Sequence, residues 1–274
     1  MPNSRRKIEP EIMRFMMQSS QIERKFHLLS SGHQITFKVL NLENDKTGDE
    51  TFEFEELQAF LNMSKELVAT GTEDYPGEFL PPMKSDVMLS DSILDLLIDY
   101  YNRAYDYKFS RPILDSFLIE NYIAITGKIT QYGRLRIGSE YFGSVLSKRH
   151  IRSSYILARF IDQHTDNEDM YPGQVQFYFK HTAHLPSDST KEHYLAFVKW
   201  YKPVATARAR FLFANEDSDD FTNDPELWRK EFYNSSSDSI IPIHHISGRF
   251  VPAKFKYKKT EYLAVLPLNR RFHL

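Results

Sequence analysis

Three kinds of side chain in this sequence are spaced in ways that could support chemistry. His181 and His184 form a His-x-x-His pair, and His193, His244 and His245 add three more imidazoles. Imidazoles together with carboxylates could hold zinc without cysteine. However, His181 falls at the end of a predicted strand, where residues three apart point to opposite faces and converge poorly. Scattered carboxylates could form the triad of a metal-dependent nuclease or transposase, which requires acids on rigid core strands. Here the acids concentrate in predicted helix faces and loops, and the predicted strands are nearly free of them. No Gly-x-Ser-x-Gly, His-Glu-x-x-His or phosphate-loop pattern is present. The expectation is a chain with no cofactor, no metal and no catalytic residues.

The third kind is aromatic and basic together. Gln174 to Lys202 interleaves Phe177, Tyr178, Phe179, Tyr194, Phe197, Trp200 and Tyr201 with Lys180, Lys191, Lys199 and Lys202. Such mixing suits stacking on bases or caging of a methylated ammonium. Alternating aromatics on a strand also build cores, which is expected of Phe177, Phe179 and Phe197. Trp200 and Tyr201 are adjacent, so at most one is expected on a core face.

The net charge of −2 conceals an asymmetry. From Asn41 to Asp99 fifteen acids face three bases, a net of −12. Residues 125–160 and 241–274 each carry seven bases and one acid, a net of +6 apiece. Convergence of the two basic segments would attract phosphate through counterion release. Ser147-Lys-Arg-His-Ile-Arg152 has the polar composition of a loop, which makes Arg149 and Arg152 the foremost expected contacts, with Lys148, Arg134 and Arg136 as further candidates. The competing expectation is intramolecular, with the acidic segment covering the basic surface.

The elements that must position these residues change period near residue 120. Before it, helical spacing dominates, over residues 9–29 and 53–68, with a short alternating strand over residues 35–39. Gly71, Pro76, Gly77, Pro81 and Pro82 mark Thr70 to Lys84 as a loop. Ser90 and Asp91 offer a helix start before Ile93, Leu94, Leu97, Ile98, Tyr101 and Ala104. After residue 120, alternating segments predict strands over 123–129, at Leu135 and Ile137, and over 155–160, 175–179, 194–200, 210–213, 240–246 and 262–266. Asn215 to Glu226 reads as an acidic loop, and Leu227 to Tyr233 as one helical turn. Apolar residues make up 41%, enough for a sizeable core. Cysteine is absent, which removes disulfides, thiolate metal sites and cysteine nucleophiles. No stretch approaches a membrane span, and no apolar run follows the basic residues Met1 to Arg6, so neither a membrane partner nor a secretory signal is expected.

Three segments carry a resemblance: Leu195-Ala-Phe-Val-Lys-Trp-Tyr-Lys-Pro203, Leu227-Trp-Arg-Lys-Glu-Phe-Tyr233 and Ser239-Ile-Ile-Pro-Ile-His-His-Ile-Ser-Gly-Arg-Phe250, closed by the strand Tyr262 to Leu268. In order and spacing they resemble the bromo-adjacent homology (BAH) module, roughly from Ile123 to the end. Lys202 stands where that family usually has Arg, and Gly248-Arg249 where it has Gly-Lys. In its methyl-lysine readers a cage tryptophan lies two residues before the tyrosine of the Tyr-Arg-Pro end. Here Lys199 holds that position and Trp200 follows it, so the ring should point to the other face. Tyr132-Gly-Arg-Leu-Arg-Ile-Gly138, Tyr171-Pro-Gly-Gln-Val-Gln-Phe-Tyr178 and Asn269-Arg-Arg-Phe-His-Leu274 resemble uncharacterised proteins of early-diverging fungi that look like the C-terminal tails of CACTA-type transposon proteins.

These readings give an α+β expectation. A mainly helical acidic region, residues 1–118, precedes a small BAH-like, mainly antiparallel β-barrel, residues 119–274. The functional expectation is a non-catalytic, nuclear interaction module of chromatin or nucleic acid, with the transposon resemblance implying a mobile-element relic. Its expected partners are a histone, a nucleosome or another protein, and the DNA phosphate backbone. The alternative is an accessory domain of a transposase or nuclease with a divergent metal site. The candidate binding residues are Arg134, Arg136, Lys148, Arg149, Arg152, Lys199, Trp200, Tyr201 and Lys202. The oligomeric state is not legible.

Overall fold

A computed structural model describes residues 70–112, 122–161, 168–185, 189–213, 225–257 and 260–268. All lie in the second of the two units into which the chain divides, Glu53–Leu274. The helices expected over 9–29 and 53–68, the strand over 35–39, most of the acidic stretch from Asn215 and the terminal Asn269–Leu274 fall outside the described residues.

In chain order the elements are β1 (Gly77–Met88), α1 (Asp91–Ala104), β2 (Lys108–Ser110), β3 (Tyr122–Ala124), β4 (Lys128–Ile137) and β5 (Glu140–Phe142). A 3-10 turn over Lys148–Ser153, kinked at His150, leads to β6 (Tyr155–Ile161), β7 (Glu168–His184), β8 (Thr190–Pro203) and the short helix α2 (Ala207–Arg210). Then come β9 (Glu226–Phe232), β10 (Ile240–Pro242), β11 (Ile246–Tyr257) and β12 (Thr260–Leu268), with 3-10 turns on either side of β10.

The α+β expectation is corrected here. Among the described residues 60% are strand and 17% helix, and α1 is the only helix of seven residues or more. The principal sheet is antiparallel throughout, and only the small β2–β3 pair is parallel. Strands β7, β6, β11, β12, β9 and β8 pair in that order, and β8 pairs back onto β7 to close a ring. Strand β4 adds to β7 outside the ring, β1 to β4, and β10 to β8.

One buried cluster takes Leu157 from β6, Tyr201 from β8, Trp228 from β9, Phe250 from β11 and Leu263 and Val265 from β12, with Tyr171 of β7 packed against it. A cluster fed by every strand of the ring fills its interior. A second cluster lies on the outer face of β6, β7 and β8, under β4, β5 and β10, and includes Leu135, Phe142, Ile156, Val175, Val198 and Trp200. A third packs α1 on β7, β8 and β10 through Leu94, Leu97, Ile98 and Tyr101. Those four residues follow i, i+3, i+4, i+7 spacing, which is why this segment is helical. Ser90 occupies the N-cap with its side chain on the Ser92 hydroxyl rather than on a backbone N–H, and Asp91 and Arg103 complement the helix dipole at the two ends.

Three local expectations differ from the structure. Thr70 to Lys84, expected as a loop, contains most of β1. Pro81 and Pro82 fall at a register break between Leu80 and Met83 on a sheet edge, where a missing N–H disrupts no ladder. Leu227 to Tyr233, expected as a helical turn, is strand β9, because Leu227 and Trp228 are buried opposite β12. Arg210 to Phe213, expected as a strand, is the end of α2 and a turn. Arg210 fixes that conformation. Its guanidinium is bidentate to Asp169, donates to Glu226 Oε2 at 2.7 Å and lies 4.5 Å over the Trp228 ring.

Candidate nucleic-acid interface

Strands β4 and β5 form a hairpin whose turn holds Gly138 at φ 55°. Register places Leu135 opposite Phe142, Arg136 opposite Tyr141 and Ile137 opposite Glu140. Phe142 is fully buried, so alternation turns Tyr141 outward, onto the face that also carries Arg136. The Lys148–Ser153 turn lies against this hairpin. Gly143 donates its N–H to the Ser153 carbonyl at 2.9 Å, and a Cβ on Gly143 would stand 2.0 Å from the His150 carbonyl oxygen. Only glycine permits that approach. Ser153 Oγ donates to the His150 carbonyl at 2.9 Å, and Ser154 Oγ to the Ile151 carbonyl at 2.6 Å. The turn is thus fixed at its end while Lys148, Arg149, His150, Ile151 and Arg152 are all exposed.

The bases of residues 125–160 have unequal freedom. Lys128 pairs with Asp86 at 3.0 Å and Arg136 with Glu78 at 3.2 Å, both acids belonging to β1. Arg134 donates from Nε to the Pro81 carbonyl at 2.7 Å, and its Nη1 lies 3.3 Å from His150 Nε2. Lys148, Arg149 and Arg152 make no ion pair among the described residues. Two described acids of the acidic segment, Asp86 and Glu78, therefore neutralise part of the basic surface, and no described acid pairs with Lys148, Arg149 or Arg152.

Of the second basic segment, Arg249, Lys254 and Lys256 are described, and no hydrogen bond or ion pair joins them to the Lys148–Ser153 turn. Arg249 is partly buried, 3.8 Å from Glu140 and 5.9 Å from the Phe142 ring centre. Lys254 and Lys256 lie further along β11, roughly 17–23 Å from Arg249 at the usual strand rise. Lys258, Lys259, Arg270 and Arg271 are outside the described residues.

The candidates on β8 separate by face. Lys199 is exposed, and Lys202 lies 3.6 Å from Glu231. Trp200 and Tyr201 are both 6% exposed, because β8 is covered on both faces: Trp200 enters the outer cluster and Tyr201 the ring interior. Trp200 donates its indole N–H to the Asp238 carbonyl at 2.7 Å and meets Phe160 edge-on at 5.2 Å. Burial removes both rings from any surface contact. Phe179 and Phe197 are buried as expected, while Phe177 is only half-buried.

The histidines divide as strand geometry predicts. His181 is buried and His184 exposed. His181 Nε2 donates to the Thr126 carbonyl at 3.0 Å, leaving Nδ1 to accept from the Tyr101 hydroxyl at 2.7 Å. Burial, foremost, pushes the imidazoles of His181, His193 and His245 down to about 4. No group of three His, Cys, Asp or Glu among the described residues could hold a metal ion.

A cleft of about 310 Å³ lies beside β1 and is lined by Tyr75, Phe79, Tyr132, Tyr194, Asp74 and Lys180. Its aromatic face is already occupied by the chain's own cation. Lys180 Nζ sits 4.9 Å from the Tyr194 ring centre and 2.9 Å from Glu192 Oε2.

Reasoning from sequence missed Tyr141 and His150 at this surface, and the β1 acids opposite β4. The alternation of Tyr141 with buried Phe142 was the available signal. No protein-family model, curated protein or solved structure matches the chain.

Proposed function

We propose that this protein is a non-catalytic binding module that engages the phosphate backbone of nucleic acid through Lys148, Arg149 and Arg152. One observation carries the reading: three exposed cations stand on one short pinned segment, Lys148–Ser153, kinked at His150, without ion-pair partners among the described residues, while neighbouring Lys128 and Arg136 are neutralised by β1. Unpaired cations on a fixed surface are the footprint of counterion-release binding, which is not sequence-selective. The BAH resemblance adds a chromatin setting and a nuclear location to the proposal, and the resemblance to transposon-protein tails adds descent from a mobile element.

Titrating the full chain against a fluorescent oligonucleotide and, separately, a histone-tail peptide tests the reading. The expected result is oligonucleotide binding at low salt that weakens steeply as salt rises. Binding of the peptide with no oligonucleotide binding at low salt would overturn it.

A further inference from the structure

We infer that the surface built by β5 and the Lys148–Ser153 turn prefers single-stranded nucleic acid, with Tyr141 as the platform on which an unpaired base stacks. The inference rests on the phosphate-binding reading and names its substrate class.

Tyr141 is 49% exposed, and its ring makes no aromatic contact among the described residues. Its position is nonetheless fixed. On the opposite face of the same three-residue strand, Phe142 is buried in the outer cluster and Glu140 faces Arg249. The backbone is therefore pinned from below while the ring stands clear above. Cross-strand register sets Arg136, already paired with Glu78, directly opposite it, and Arg134, free of ion pairs among the described residues, is two residues along the same face. Arg134 reaches His150, which joins this face to the turn carrying Lys148, Arg149 and Arg152. Ile151, 41% exposed, adds an apolar surface within the turn. An exposed aromatic ring on a fixed backbone, bordered by guanidinium and ammonium groups, combines the two requirements of single-strand recognition: a stacking face for a base and cations for its phosphates. A duplex seals its base faces inside the helical stack, so a surface tyrosine adds nothing there, whereas phosphates are available in both forms.

The test compares oligothymidylate with a duplex of equal length by fluorescence anisotropy over a salt series, using the full chain. The wild type should bind the single strand more tightly. Tyr141→Ala should weaken single-strand binding about tenfold, leave duplex binding unchanged and preserve the salt slope, since the substitution removes no charge. Tyr141→Phe keeps the ring and should retain most of the affinity, which separates stacking from loss of fold. Equal affinity for the two forms, or a Tyr141→Ala effect that is absent or the same on both, would overturn the inference. The underlying reading fails differently: replacing Lys148, Arg149 and Arg152 by Ala would then leave both affinities and slopes as they were.

Discussion

The Tyr101 hydroxyl donates to Nδ1 of His181 across 2.7 Å of buried space and fastens α1 to β7. That bond requires a neutral imidazole at Nδ1. His181 is not alone, because His193 stands opposite it in register on β8 and its Nε2 lies 2.7 Å from the Tyr105 hydroxyl. The seating of α1 on the sheet thus depends on His181 remaining uncharged, while burial opposes a charge on His193 beside it.

Acid should therefore unseat the helix and destabilise the fold. His181, His193 and His245 have folded-state values near 4, below the ordinary value of 6.5. The unfolded chain then binds more protons between these limits. Stability is fully present above pH 6.5 and falls as pH drops toward 4, with each histidine contributing a slope of about 1.4 kcal/mol per pH unit at most. Urea midpoints measured across this window should decline steadily. Tyr101→Phe should lower stability at neutral pH by about 1–3 kcal/mol, having left a buried acceptor unpaired. Midpoints that do not change with pH would contradict the arrangement.

Gly173 should be intolerant of a side chain. A Cβ there would lie 2.5 Å from Val198 Cγ1 and 2.6 Å from the Trp200 ring, both fixed in the outer cluster. Gly173→Ala should cost about 1–3 kcal/mol by overpacking, read as a lower denaturation midpoint together with altered tryptophan emission. A wild-type midpoint would show that Trp200 is not packed as described.

Uncovering the bases of β4 should strengthen polyanion binding. Glu78 and Asp86 pair with Arg136 and Lys128. Glu78→Gln with Asp86→Asn should raise oligonucleotide affinity and steepen its salt slope by about 0.9 for each further duplex phosphate that the freed bases neutralise. Unchanged affinity would mean that β1 does not screen the patch.

Much of this architecture was legible in the sequence, and its exceptions have physical causes. The apolar spacing after Ser90 located α1, and alternation located most of β6 and β12, half of β8 and only the middle of the long strand β7. Strand β1 was hidden because prolines read as a loop wherever a ladder bond is needed, and an edge strand does not need one at those positions. Arg210 to Phe213 alternates like a strand, but its conformation is set by Asp169 and Glu226, which are distant in sequence. Trp200 and Tyr201 looked like alternatives because a strand with one wet face buries only one of two neighbours, whereas β8 has no wet face there. At the candidate site, the cationic turn was readable from composition. The β1 acids that spare it while covering Lys128 and Arg136 required the pairing of β1 with β4.

The most direct test of the central claim is the salt dependence of binding to one duplex oligonucleotide, compared between the wild type and a variant with Lys148, Arg149 and Arg152 replaced by Ala. If each of these three side chains neutralises a phosphate, the slope of log affinity against log salt becomes shallower by about 0.9 per side chain removed, roughly 2.7 in all, while the denaturation midpoint stays unchanged. Identical slopes for the two proteins would contradict the account.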